Sequence, residues 1–109
     1  MIASFHHLSV APRDVVESLA RLEATIIGYE LIRDEDTRPV LYRFSDMAGQ
    51  LAVQVAAHHL QTEAGGRGVL LGNVPGVPPP TILIVGAGTA GRSAARQGLA
   101  SGAHVIVLD

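Results

Sequence analysis

Cysteine is absent from these 109 residues. That excludes disulfides and thiolate metal sites, and it fits a reducing compartment, with the cytoplasm as the expected location. Aromatic residues make up only 4% and tryptophan is missing, so any core must be aliphatic. Runs of basic residues are lacking too. Eight Lys and Arg face ten Asp and Glu, for a net charge of −2, which argues against a nucleic-acid footprint. No apolar run approaches the ~20 residues of a membrane-spanning helix. The opening Met1-Ile2-Ala3-Ser4-Phe5 has no basic region of the kind that begins a signal peptide. No internal repeat is visible. What is present is a 48% hydrophobic fraction and a mean hydropathy of +0.31. Together these describe an α/β protein with no membrane and no nucleic-acid partner, at most one ordinary domain or parts of two.

Along the chain, residues 3–7 predict a short strand. From Arg13, the apolar positions Val15, Val16, Leu19 and Leu22 repeat at helical spacing. ATIIGYELI (24–32) is compact and β-branched, and predicts a buried strand. RDEDTRP (33–39) is a charged loop. SDMAGQLAVQVAAHHLQ (45–61) predicts a helix, with Ser45 as its N-cap and Asp46 beside the positive helix end. Residues 64–80 are rich in glycine and proline, which marks a linker and a domain boundary. Val69-Leu70-Leu71 is a candidate for a short extended segment within it.

The last stretch, ILIVGAGTAGRSAARQGLASGAHVIVLD, has a different character. Residues 81–85 form a continuous apolar run, as in a parallel strand covered on both faces. A glycine turn, a helix closed by Ser101-Gly102 and a second apolar strand (104–108) follow. This is one βαβ unit, part of a Rossmann-like, doubly wound parallel sheet. A lone GxGxxG is weak evidence, because glycine also marks ordinary turns. Here the strand before it, the helix after it and the acid beyond supply the context a dinucleotide site requires. Gly86 permits the tight turn, Gly88 lets the backbone approach a diphosphate, and Gly91 lets helix and sheet pack closely. Thr89 and Ala90 begin the helix, whose free N–H groups and dipole favour phosphate. Asp109 follows the second strand, 23 residues after Gly86. A carboxylate there accepts from ribose hydroxyls and repels a 2′-phosphate, which points to NAD rather than NADP.

RPVLYRFSDMAGQLAVQVAAHHLQTEAGGRGVLLGNVPGVPPPTILIVGAGTAG resembles the alanine dehydrogenases, and more distantly the NAD-binding subunit of proton-translocating transhydrogenase. GGRGVLLGNVPGV (65–77) carries the most specific part of the likeness, since a generic dinucleotide fold has no such segment before its first strand. HLSV (7–10) and IIGYE (26–30) are similar as well. The resemblance implies that residues 1–44 end a substrate domain, 45–63 connect, 64–80 link, and 81–109 begin the NAD domain. It implies hydride transfer to NAD during deamination of L-alanine to pyruvate and ammonia, and a homo-oligomer in the full-length relative.

His7 matches the family's catalytic histidine, an imidazole being suited to proton transfer near neutral pH. A histidine at a strand end is the competing reading, with His6 facing the opposite way. Ser45 matches a serine near the coenzyme and is equally explained as a helix cap. Phe44 stands in place of the family's usual methionine, and Asn73 in place of a linker glycine. The family's substrate-binding arginine and lysine precede the matched stretch, and its catalytic aspartate follows it. The expectation is therefore a segment inactive alone. A transhydrogenase component and a non-catalytic nucleotide-binding piece are the alternatives.

Other groupings read as structural. His58 and His59 diverge by about 100° on a helix and cannot share a metal. Asp34-Glu35-Asp36 lacks the glycine and terminal glutamate of a calcium loop. Arg67, between glycines, suits either a phosphate or a linker contact. No metal is expected.

Overall fold

The computed structural model describes residues 1–7 and 10–109. The chain forms two compact units, Met1–Arg43 and Phe44–Asp109. Each is mixed α/β and built on a two-stranded parallel sheet.

In the first unit, β1 (Ile2–Ser4) pairs in parallel with β2 (Ile26–Gly28), Ile2 opposite Ile26. Parallel strands need a crossover, and α1 (Arg13–Arg21) provides it. Val16 and Leu19 of α1 line a shallow cleft with Leu22 and Ile26, although no residue of α1 is buried and Val16 and Leu22 are 41% and 50% exposed. The strand predicted for 24–32 is shorter than expected. It stops at Gly28, and a 3-10 turn, Tyr29–Leu31, follows. That turn carries Glu30 inward to 6% exposure. The Glu30 carboxylate lies so close under Gly28 that an added Cβ would stand 3.0 Å from its Oε1. Burial of this side chain against the strand end is what a continued strand would forfeit. The charged stretch before α2 holds a tight turn closed by reciprocal Asp34 and Thr37 backbone bonds of 2.9 and 3.0 Å.

Helix α2 runs Pro39–His59 and passes from the first unit into the second. It starts six residues before the expected Ser45. Proline at the first helical position is a start signal, because its missing N–H would have no intrahelical partner anyway. The N–H of Tyr42 already donates to Arg38 O at 2.8 Å. Ser45 is thus an interior residue and not an N-cap, and Asp46 does not sit at the helix dipole. The other end is closed by the glycines of the 64–80 stretch. Gly65 takes a left-handed conformation (φ +81°), and Gly66 and Gly68 donate to Gln61 O and Leu60 O at 2.8 and 2.9 Å. Any side chain at Gly66 would overlap the His59 carbonyl.

In the second unit, β3 (Thr81–Val85) and β4 (His104–Leu108) pair in parallel, Thr81 opposite His104 and Val85 opposite Leu108. Their crossover is α3 (Thr89–Ala100). Gly98 brings α3 down onto the sheet: a Cβ there would stand 2.9 Å from Ile82 Cδ1 and 3.1 Å from Val105 Cγ2. Within the described residues this two-stranded sheet is covered on one face only. One helix shields Ile82, Ile84 and Val105, while Leu83, Val85 and Leu108 on the other face are 58%, 82% and 53% exposed. Gly102 (φ +87°) turns the chain into β4, and Asn73 of the glycine-rich stretch packs on it.

Candidate functional site: the glycine turn and its acid

The turn between β3 and α3 contains three glycines that differ in physical necessity. Gly86 has φ +103°, a conformation that side chains resist, and its N–H extends the sheet ladder to Leu108 O at 2.6 Å. Gly91 lies against the turn itself, where any Cβ would overlap the Gly86 carbonyl oxygen. Gly88 is different. It is the N-cap of α3 with φ −64° and ψ −173°, values open to any residue, and an added Cβ would meet nothing within 4 Å. Neither conformation nor internal packing requires glycine at 88. Glycine at this N-cap leaves the approach to the start of α3 open.

The first turn of α3, with Thr89, Ala90 and Gly91, presents N–H groups that have no intrahelical partner, and Gly88 has no side chain to cap them. Asp109 comes back to this turn from the end of β4. Its Oδ1 accepts the N–H of Ala87 at 2.7 Å. The carbonyl of Ala87 is held in its turn by Nη1 of Arg92, also at 2.7 Å. A carboxylate offers about four acceptor positions, so one bond to Ala87 leaves capacity for hydroxyl donors.

Helix α2 braces this turn from behind. Gly49 is buried where a Cβ would overlap Ala90 O and press on Ser93. Ser93, 1% exposed, donates its hydroxyl to Asp46 O at 2.8 Å, and Arg96 pairs with the Asp46 carboxylate at 2.9 Å. Ser45, half-buried, immediately precedes this contact.

Of the site residues expected from sequence, Gly86, Gly88, Thr89, Ala90, Gly91 and Asp109 converge on one turn. Ser45 is on the helix that backs it. His7 belongs to the first unit. It is not on a strand, since β1 ends at Ser4, so the expected alternation of His6 and His7 across a sheet does not apply. Instead His7 is exposed and takes a left-handed backbone (φ +52°), with its ring 6.1 Å from that of Phe5. His6 turns inward: its N–H donates to Glu30 Oε2 at 3.4 Å, and its Nε2 lies 3.2 Å from Ser4 Oγ. Leu8 and Ser9 of the 7–10 match lie outside the described residues. Sequence reasoning missed Arg92, although an arginine directly after the last glycine of the turn was its visible signal.

Comparison with known proteins decides the family. Residues 52–109 match the family model described as alanine dehydrogenase/PNT, C-terminal domain. The chain belongs to this family. An alanine dehydrogenase of Mycobacterium tuberculosis is 46% identical over 110 residues, covering 100% of this chain and 29% of the relative. Another, from Bacillus subtilis, is 34% identical over 109 residues, again 29% of its length. A solved L-alanine dehydrogenase superposes with a TM-score of 0.81 at 41% identity, over 98% of this chain and 30% of that one. The chain therefore spans under a third of the length of the relatives it matches, as a segment of an alanine dehydrogenase would. Such relatives favour the dehydrogenase branch over a transhydrogenase component. No helix among the described residues is long and apolar enough to cross a membrane.

Proposed function

We propose that this chain supplies the coenzyme-binding start, and part of the substrate domain, of an NAD-dependent L-alanine dehydrogenase. Residues 1–44 would close the substrate domain, 45–63 connect, 64–80 link, and 81–109 open the NAD domain. The observation that carries the reading is the glycine turn itself, where Gly88 leaves the helix start open and the Asp109 carboxylate is bonded to the neighbouring Ala87. Main-chain N–H groups of Thr89, Ala90 and Gly91 would hold the diphosphate, with Gly86 and Gly91 maintaining the turn. Asp109 would accept the adenosine ribose hydroxyls. Ser45 would lie near the coenzyme, and His7 would act as general acid and base beside the substrate carbon.

When bound, NAD supplies the hydride acceptor: L-alanine, NAD⁺ and water give pyruvate, ammonium, NADH and a proton. Assembly as a homo-oligomer and location in the cytoplasm belong to the same reading. The test is NADH formation by the full-length protein with L-alanine. Wild type should turn over, and His7→Ala should lose at least ~100-fold in kcat, the lower range of acid–base catalysis. NADH formation that ignores alanine would refute the substrate, and undiminished turnover by His7→Ala would refute the histidine's role.

A further inference from the structure

Arg92 stands at the other end of the residue that Asp109 holds. Long side chains on a helix lean toward its N-terminus, and Arg92, in the first turn of α3, reaches back to Ala87 O at 2.7 Å while Asp109 takes Ala87 N–H at 2.7 Å. The two charges are anchored on one residue, yet they are not paired with each other. The ion pairs found among the described residues are Arg13 with Glu17 and Arg96 with Asp46. The Arg92 guanidinium thus rests on a neutral carbonyl, with further N–H donors in its fork and a permanent charge. A phosphate is the stronger acceptor, and a planar fork suits it.

We propose that Arg92 is a second specificity-determining residue for the coenzyme. It offsets the repulsion of Asp109 toward a 2′-phosphate, so the balance between NAD and NADP is set by the pair and not by the acid alone. The inference rests on the NAD reading above. A ribose held by Asp109 would lie beside the residue on which Arg92 rests, and the guanidinium would exchange the Ala87 carbonyl for a 2′-phosphate by a side-chain rotation.

The experiment is calorimetric titration of the full-length protein with NAD, NADP and 2′,5′-ADP, using wild type, Arg92→Ala, Arg92→Lys, Asp109→Asn and the Arg92→Ala/Asp109→Asn double variant. Asparagine keeps an acceptor for Ala87 N–H while removing the charge. Arg92→Ala should lower the affinity for NADP relative to NAD roughly tenfold or more, the scale of one charge-assisted hydrogen bond. Arg92→Lys should restore part of it. Asp109→Asn should shift the ratio toward NADP, and adding Arg92→Ala should cancel that shift. A ratio indifferent to Arg92 in both backgrounds, or equal weakening of NAD and NADP, overturns the inference while the NAD reading stands. Failure of wild type to bind NAD overturns both.

Discussion

The N–H of Ala87 donates to Oδ1 of Asp109 across 22 residues of sequence, at 2.7 Å. The acid after the second strand therefore does two things at once: it fixes the tip of the glycine turn and it faces outward as a charged acceptor. Asp109→Ala should cost only ~0.5–1.5 kcal/mol of stability, since the freed N–H is accessible to water. On the proposed ribose contact it should also weaken NAD by about tenfold or more. Parallel thermal unfolding and NAD titration measure the two effects. A large stability loss with unchanged affinity would make Asp109 a brace only.

The contact between α2 and α3 is set by Gly49. Because a Cβ there overlaps the Ala90 carbonyl, Gly49→Ala must push the helices apart. The expected loss is about 1–3 kcal/mol, the usual range for overpacking. Ser93→Ala, which removes the bond to Asp46 O, should cost about 0.5–1.5 kcal/mol. Arg96→Ala breaks an exposed pair and should cost under ~1 kcal/mol. Denaturant unfolding orders the three, and Arg96→Ala proving the most damaging would contradict this packing account.

Leu83, Val85, Ile106 and Leu108 lie on the sheet face that α3 does not reach, at 58%, 82%, 41% and 53% exposure. An apolar face of this kind favours association. Expressed as these 109 residues, the chain should self-associate or unfold with low cooperativity. The double variant Leu83→Gln/Val85→Thr should reduce association without weakening the α3 side of the sheet. Sedimentation showing a cooperatively folded wild-type monomer would refute this.

How legible was this in the sequence? The strand bounds of the last βαβ unit are legible in the sequence, because two continuous apolar runs, a glycine turn and a Ser-Gly helix stop each indicate the same element. The three glycines of the turn were assigned distinct reasons, and those of Gly86 and Gly91 correspond to a positive φ and a forbidden Cβ. At Ser45 residue type misleads. It was a good cap by residue type, but Pro39 is a stronger start signal, and tertiary contacts at Asp46 and Gly49 occupy the helix interior. The 24–32 strand failed for another reason. Strand propensity cannot register that a buried glutamate, Glu30, folds back under Gly28. Nor could spacing reveal Arg92 or Gly98, whose roles exist only once α3 lies over the sheet.

The proposed function requires the open approach at Gly88 to admit a dinucleotide. Titration of NAD into the full-length wild type and Gly88→Val, alongside their thermal unfolding, tests it most directly. With φ −64° and nothing within 4 Å of an added Cβ, Gly88 should accept valine at a cost no larger than the ~0.5–2 kcal/mol of a poorer N-cap. NAD affinity should fall by at least ~100-fold, because the side chain occupies the diphosphate approach. Equal NAD binding by both proteins, or valine unfolding the turn, would contradict the account.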